Sequence, residues 1–193
     1  MQSYVTPHST PRALTSFDRA LLQETVQACV EAVTENRRIS HVTFNMIVDS
    51  TFSGELPYAW STFPTGWVTR YLRQSYIAHD PVVRVGIGAT TPFFWTDLYH
   101  EPGERQYLDD AARHGIGPRG YTIPHIEHGT RSLLSLTNRT LEEEDWRYYI
   151  EAIYPELLVF ARCLHHRALG ELDLDGIPLV GWKPDMPCPL GSQ

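Results

Sequence analysis

Lysine occurs once in the 193 residues, at Lys183, and the other 15 of the 16 basic residues are arginines. Against 23 acidic residues this leaves a formal net charge of -7, which argues against a nucleic-acid coat protein or a polybasic membrane binder. No apolar run approaches the roughly 18 residues of a transmembrane helix. The opening stretch, MQSYVTPHSTPRALTS, lacks the apolar segment of a secretory signal. Cysteine is scarce: Cys29, Cys163 and Cys188 are odd in number, far apart and without a CxxC. Cys29 and Cys163 fall in helical patterns and read as buried free thiols, which suits a reducing, cytoplasmic compartment. Signatures of catalysis are missing too. There is no GxSxG, no glycine-rich phosphate loop and no HExxH. Gly86-Ile87-Gly88 is too short for a dinucleotide fingerprint and lacks the preceding strand.

Two histidine clusters invite a functional reading and do not sustain one. His125 and Glu127 share one face of an expected hairpin, with His128 in its turn; without further ligands no metal site is predicted. Cys163, His165 and His166 lie near the end of the last helix, where polar and cationic groups are commonplace. Glu142 to Asp145 reads as a solvated helix start. With no nucleophile, base or metal set in place, an enzyme is not expected.

What the chain does contain is ordered. At 42% hydrophobic residues it has enough apolar material for one well-buried domain. Leu21, Leu22, Val26, Cys29, Val30 and Val33 recur at helical spacing after Ser16, a candidate cap. Residues 41–50, HVTFNMIVDS, read as a strand, and Tyr58 to Trp60 as a second, short one. Pro64 opens a helix through Trp67 and Tyr71. Asp80-Pro81 combines a capping side chain with proline at the first helical position, a strong start signal for a short helix. Residues 100–114 read as another helix stopped by Gly115. GYTIPHIEHGTRSLLSLT then reads as a hairpin, and a long helix begins around Leu141 and continues despite Pro155, which should bend it or mark an N-terminal turn. Strands that come in antiparallel pairs between helices predict an α/β (α+β) protein, a three-layer α-β-α sandwich around a central antiparallel sheet.

The informative stretch is aromatic. Tyr58, Trp60, Phe63, Trp67, Tyr71, Tyr76, Phe93, Phe94, Trp95 and Tyr99 crowd into 42 positions, 58–99. Trp67 and Tyr71 are four apart and meet on one helix face. These residues can form a plain aromatic core. They can also wall an apolar pocket in which an indole N–H, phenol hydroxyls and the Asp80 carboxylate converge on a small amphiphile.

The segment FPTGWVTRYLRQSYIAHDPVVRVGIGATTPFFW, with GYTIPH and RSLLSL downstream, resembles the autoinducer-binding domain of LuxR-type quorum-sensing regulators. Trp67, Tyr71, Asp80-Pro81 and Phe94-Trp95 stand in that family's order and spacing, and the likeness covers roughly residues 15–168. The resemblance implies an α-β-α sandwich enclosing an N-acyl-homoserine lactone. It implies that the Trp67 indole donates to the lactone carbonyl and that Asp80 accepts the amide N–H. Tyr71 and Trp95 would wall the head group, and the Ser135 hydroxyl would meet the amide carbonyl or acyl chain. Phe63, Val82, Phe94 and Tyr99 complete the candidate lining. Phe63 departs from the family, which commonly carries a tyrosine there, so one hydrogen bond is lost or supplied by Ser135 or water. An empty pocket with Asp80 unpaired is expected to be unstable.

The expected organisation is a flexible arm over 1–15, the ligand-binding domain over 16–169 and a linker or tail over 170–193. No helix-turn-helix follows Leu169, so DNA contact is expected only through a domain absent from these residues. The implied function is that of a sensory domain, with no cofactor beyond its lactone ligand, acting as a homodimer or as a heterodimer with a LuxR-type regulator. The alternative is an antiactivator that lacks a DNA-binding domain and works by heterodimerisation, with or without ligand.

Overall fold

A computed structural model describes residues 14–47, 58–98, 100–127 and 129–172. Most of the expected N-terminal arm, nearly all of the expected tail, Tyr99 and His128 lie outside the described residues. The elements run α1 (Ser16–Ala20), α2 (Val26–Val33), β1 (His41–Ile47), β2 (Tyr58–Ser61), α3 (Thr65–Arg73), a 3-10 turn (Tyr76–His79) and α4 (Pro81–Gly86). They continue with β3 (Phe93–Phe94), α5 (Arg105–Arg113), β4 (Gly120–Glu127), β5 (Thr130–Thr137) and α6 (Glu143–Glu171). The five strands form one antiparallel sheet in the order β2-β1-β5-β4-β3.

Alternation along the strands assigns each face its work. Val42, Phe44 and Met46 on β1 and Leu134 and Leu136 on β5 are buried against α1, α2 and α6, where Phe17, Val30, Phe160 and Leu164 complete the main core. The opposite face carries Thr43, Asn45, Leu133 and Ser135, and across it a second, aromatic cluster gathers Trp67, Tyr76, Tyr107, Ala111 and Ile116. The result is the three-layer sandwich expected from the pairing of strands. On this second face the register places Ser61, Thr43, Ser135 and Thr122 side by side across four strands.

Several local expectations are corrected. The first helix is two. Thr25 caps α2 through Ala28 N–H, while Glu171, at the far end of α6, accepts the Val26 N–H at 2.6 Å. Arg167 of α6 binds the Leu21 and Gln23 carbonyls in the break. These partners are some 145 residues away in sequence, so apolar spacing alone could not reveal the break. Thr15, not Ser16, caps α1, in a reciprocal pair with Asp18. Helix α6 continues past Pro155 as expected, unbroken for 29 residues. Glu151 and Pro155 are both exposed, so water can meet the carbonyl that loses its helical donor. Strand β3 was not expected. It covers only Tyr121 and Thr122 of β4, leaving Pro124 beyond the paired stretch, where a missing N–H is tolerated. Cys29 is a buried free thiol, as expected, but Cys163 is disulfide-bonded.

Phe44 is fully buried at the sheet centre with its ring 5.8 Å from that of Trp60. Phe44→Ala should cost about 3–5 kcal/mol in urea unfolding; a loss below about 1 kcal/mol would contradict this placement of the main core.

Candidate functional site

Between the second face of the sheet and helices α3 and α4 lies a cavity of about 480 Å³. Its floor is the strand row Thr43, Ser61 and Ser135 with Leu133, and its inner end is walled by Trp67, Tyr71, Trp95 and Tyr107. Val68, Leu72 and Tyr58, all substantially exposed, line its outer part. The lining is largely apolar with a few fixed polar groups, the composition typical of small-molecule sites.

Asp80 is the only carboxylate among the described residues that line the cavity, and the fold builds it twice into place. Its Oδ1 accepts the Val82 and Val83 N–H groups at 2.8 and 3.4 Å, capping α4 as the Asp-Pro pair predicts. Its Oδ2 accepts the Tyr71 and Tyr107 hydroxyls at 3.1 and 3.0 Å. The expectation of an unpaired Asp80 in the absence of ligand is therefore corrected: four protein donors satisfy it. Burial pushes the Asp80 carboxyl above its ordinary range, and these donors pull it back only part of the way. Burial, reinforced by the neighbouring Asp80 charge, also drives both tyrosine hydroxyls far above their usual range, so they remain donors.

Trp67 is buried under a pile of rings. It stacks on Tyr76 at 5.9 Å and 26°, meets Tyr71 edge-on at 6.0 Å and 68°, and is flanked by Tyr107 and His114. Behind it, Asp110 accepts the Tyr76 hydroxyl at 2.8 Å and is paired with Arg70 and Arg113. The Trp67 indole nitrogen forms no hydrogen bond with another described residue.

A polar chain enters from the other side. The Trp95 indole donates to Thr122 Oγ1 at 2.8 Å, and Thr122 Oγ1 lies 2.8 Å from Ser135 Oγ. The Trp95 ring lies against Gly120, where a Cβ would come within 2.1 Å of it. That position must be glycine for the ring to sit where it does.

Seven of the nine candidate residues line the cavity: Phe63, Trp67, Tyr71, Asp80, Val82, Trp95 and Ser135. Phe94 does not, which corrects its place in the set. It pairs with Tyr121 on the core face of the sheet, 4.6 Å between rings, beneath the Arg147 guanidinium. Alternation along β3 sends it to the opposite side from the cavity. Tyr99 lies outside the described residues.

A family model described as the autoinducer binding domain matches residues 23–168. The chain belongs to the autoinducer-binding domain family. It is 30% identical over 115 residues to the transcriptional activator protein RaiR of Rhizobium etli, covering 58% of this chain and 47% of that one. It is 29% identical over 136 residues to the transcriptional activator protein CarR of Pectobacterium carotovorum subsp. carotovorum, covering 68% and 55%. The chain thus spans about half the length of these curated relatives, both named as transcriptional activators. Among solved structures, the N-acylhomoserine-lactone-dependent LuxR-family factor CepR2 of Burkholderia cenocepacia superimposes with a TM-score of 0.61 at 18% identity, covering 80% of this chain and 92% of that one. Escherichia coli SdiA does so at 0.54 and 16%, covering 83% and 67%, and SdiA in complex with octanoyl-rac-glycerol at 0.57 and 19%, covering 82% and 64%. These likenesses carry the fold. Among the described residues, no helix is long and apolar enough to cross a membrane.

Within this autoinducer-binding domain, the residues that sequence reasoning missed are Tyr107 and Thr122. Tyr107 sits on α5, 27 positions from the carboxylate it binds, in a helix whose pattern reads as ordinary amphipathic packing. Thr122 is a short polar residue within a strand, and only the register with Ser135 gives it a role.

Asp80→Asn removes the titrating carboxyl and so isolates its contribution. A raised folded pKa means that the folded chain keeps a proton that the unfolded chain loses above about 3.8. Wild-type stability in urea unfolding should therefore fall relative to Asp80→Asn as the pH rises from about 4 towards 7. A wild-type advantage that grows over this range would contradict the burial assigned to Asp80.

Proposed function

We propose that the cavity binds an N-acyl-homoserine lactone and that its occupancy is the sensing event of a quorum-sensing transcriptional regulator. The observation that carries this reading is the juxtaposition of one buried carboxylate with an indole N–H that has no hydrogen-bond partner among the described residues, both at the aromatic end of an otherwise apolar cavity. A lactone-amide head group has one donor and several acceptors. Asp80 Oδ2, held between two tyrosine hydroxyls, is the acceptor for the amide N–H, and the ligand takes its place beside or instead of one of them. The Trp67 indole is the donor for the lactone carbonyl.

The chain from Trp95 supplies a second donor. Thr122 Oγ1 accepts the Trp95 N–H and lies 2.8 Å from Ser135 Oγ, where either hydroxyl can donate; with Thr122 donating, the Ser135 proton is left for the ligand. This serves the acyl amide carbonyl that Phe63, lacking a hydroxyl, cannot reach with a hydrogen bond. The acyl chain occupies the apolar remainder, where each buried methylene contributes about 0.8 kcal/mol.

Melting temperature across a series of acyl-homoserine lactones tests the proposal. A shift that grows with acyl length up to the limit of the cavity is expected, abolished in Asp80→Ala. Trp67→Phe, Ser135→Ala and Thr122→Val should each weaken binding by about three- to tenfold, the worth of one net hydrogen bond. Octanoyl glycerol is the contrasting probe, because its ester has no amide N–H. Should it stabilise the chain while no lactone does, the head-group assignment fails. No shift with any lactone, together with co-elution with a full-length regulator, would favour a ligand-independent antiactivator instead.

A further inference from the structure

We propose that the chain carries a binding site for one divalent transition-metal ion of the zinc class, on the α6 side of the sheet, formed by His125, Glu127 and His165 with His166 completing the set. The two strand residues alone offered too few ligands; the fold brings the others to them from α6. His125 and Glu127 lie on the sheet face that packs on α6, opposite the cavity. One ligand atom from each of His125, Glu127 and His165 falls within 4.8 Å of the others. Glu127 Oε2 is 3.0 Å from His125 Nε2 and 3.2 Å from His166 Nε2. Donor atoms at the corners of a tetrahedral zinc site with bonds of 2.0–2.1 Å stand about 3.3 Å apart. The His125–Glu127 and Glu127–His166 spacings are close to that value, and the 4.8 Å span of the His125, Glu127 and His165 donors must contract by about 1.5 Å on binding.

The chemistry of the donors fits as well. Imidazole nitrogens with one carboxylate form a borderline set that suits zinc better than magnesium or calcium. His165 is fully buried, and its two ring nitrogens lie 2.9 Å from Ser132 Oγ and 2.9 Å from Thr130 Oγ1. Thr130 donates its own proton to the Glu127 carbonyl oxygen at 2.7 Å, so it accepts from His165 Nε2–H. One nitrogen of the ring can thus ligate while the other keeps the hydroxyl bond that fixes its orientation, the usual outer arrangement of a metal-bound histidine. The His125 and His165 rings meet edge to face at 4.8 Å. A bound ion would join the β4–β5 turn to the C-terminal half of α6. This site is independent of any ligand in the cavity.

Calorimetric titration of the untagged full chain with zinc chloride, after chelator treatment, tests this. One ion per chain at micromolar or tighter affinity is expected, with a cobalt(II) absorption spectrum of a tetrahedral site. A hundredfold excess over the dissociation constant should raise the melting temperature by about 5–10 °C. Glu127→Gln and His125→Ala should each lower affinity by on the order of ten- to a hundredfold, whereas His100→Ala should not. Because the wild-type titration needs no variant to fold, it decides the matter alone: no saturable binding at micromolar zinc overturns the proposal. Unchanged affinity in Glu127→Gln and His125→Ala would overturn it equally, leaving a histidine–carboxylate hydrogen-bond cluster only.

Discussion

One buried carboxylate organises the second half of this molecule. Asp80 caps α4 with one oxygen and takes the hydroxyls of Tyr71 and Tyr107 with the other. Three helices, α3, α4 and α5, are thereby tied to a single point at the inner end of the cavity. Desolvating a carboxylate is costly, and four donors are what makes the position tolerable. The same arrangement fixes the Tyr71 and Tyr107 rings beside Trp67, where the second core cluster meets the inner end of the cavity.

Asp80 is therefore satisfied by protein groups before any ligand arrives, which changes how binding must work. On the proposed reading a ligand amide would not rescue an orphaned charge; it would exchange with, or add to, tyrosine hydroxyls already in place. Its gain would come from the Trp67 and Ser135 hydrogen bonds and from burial of an acyl chain. Specificity for the head group then rests on differences of a few hydrogen bonds, each worth about a kcal/mol. Affinity rests mainly on apolar area.

Much of this was legible in the sequence because local chemistry and tertiary role coincide at several positions. Asp80-Pro81 announces a helix start from two residues, and the same aspartate is the polar centre of the site. β-Branched and aromatic content identified HVTFNMIVDS as a strand, two β-like runs identified the hairpin, and the family resemblance carried by Trp67, Tyr71, Asp80 and Trp95 pointed to four residues that line one cavity. What was not legible depends on partners remote in sequence. The break between α1 and α2 is stabilised by Glu171 and Arg167 from α6, and Tyr107 reaches Asp80 from a helix with no motif. Phe94 went astray because adjacent strand residues face opposite ways, and the two-residue strand that fixes its side was too short to read from pattern. The histidines of α6 looked like an ordinary helix end until the hairpin was folded onto them.

The central claim is that this autoinducer-binding domain holds one acyl-homoserine lactone with its amide on Asp80 and its chain in the apolar cavity. Isothermal titration with a long-chain lactone at several temperatures tests it most directly. The account predicts saturation at one ligand per chain with a negative heat-capacity change, as buried apolar area requires. Saturable binding without that heat-capacity change, or no binding at all, would contradict it.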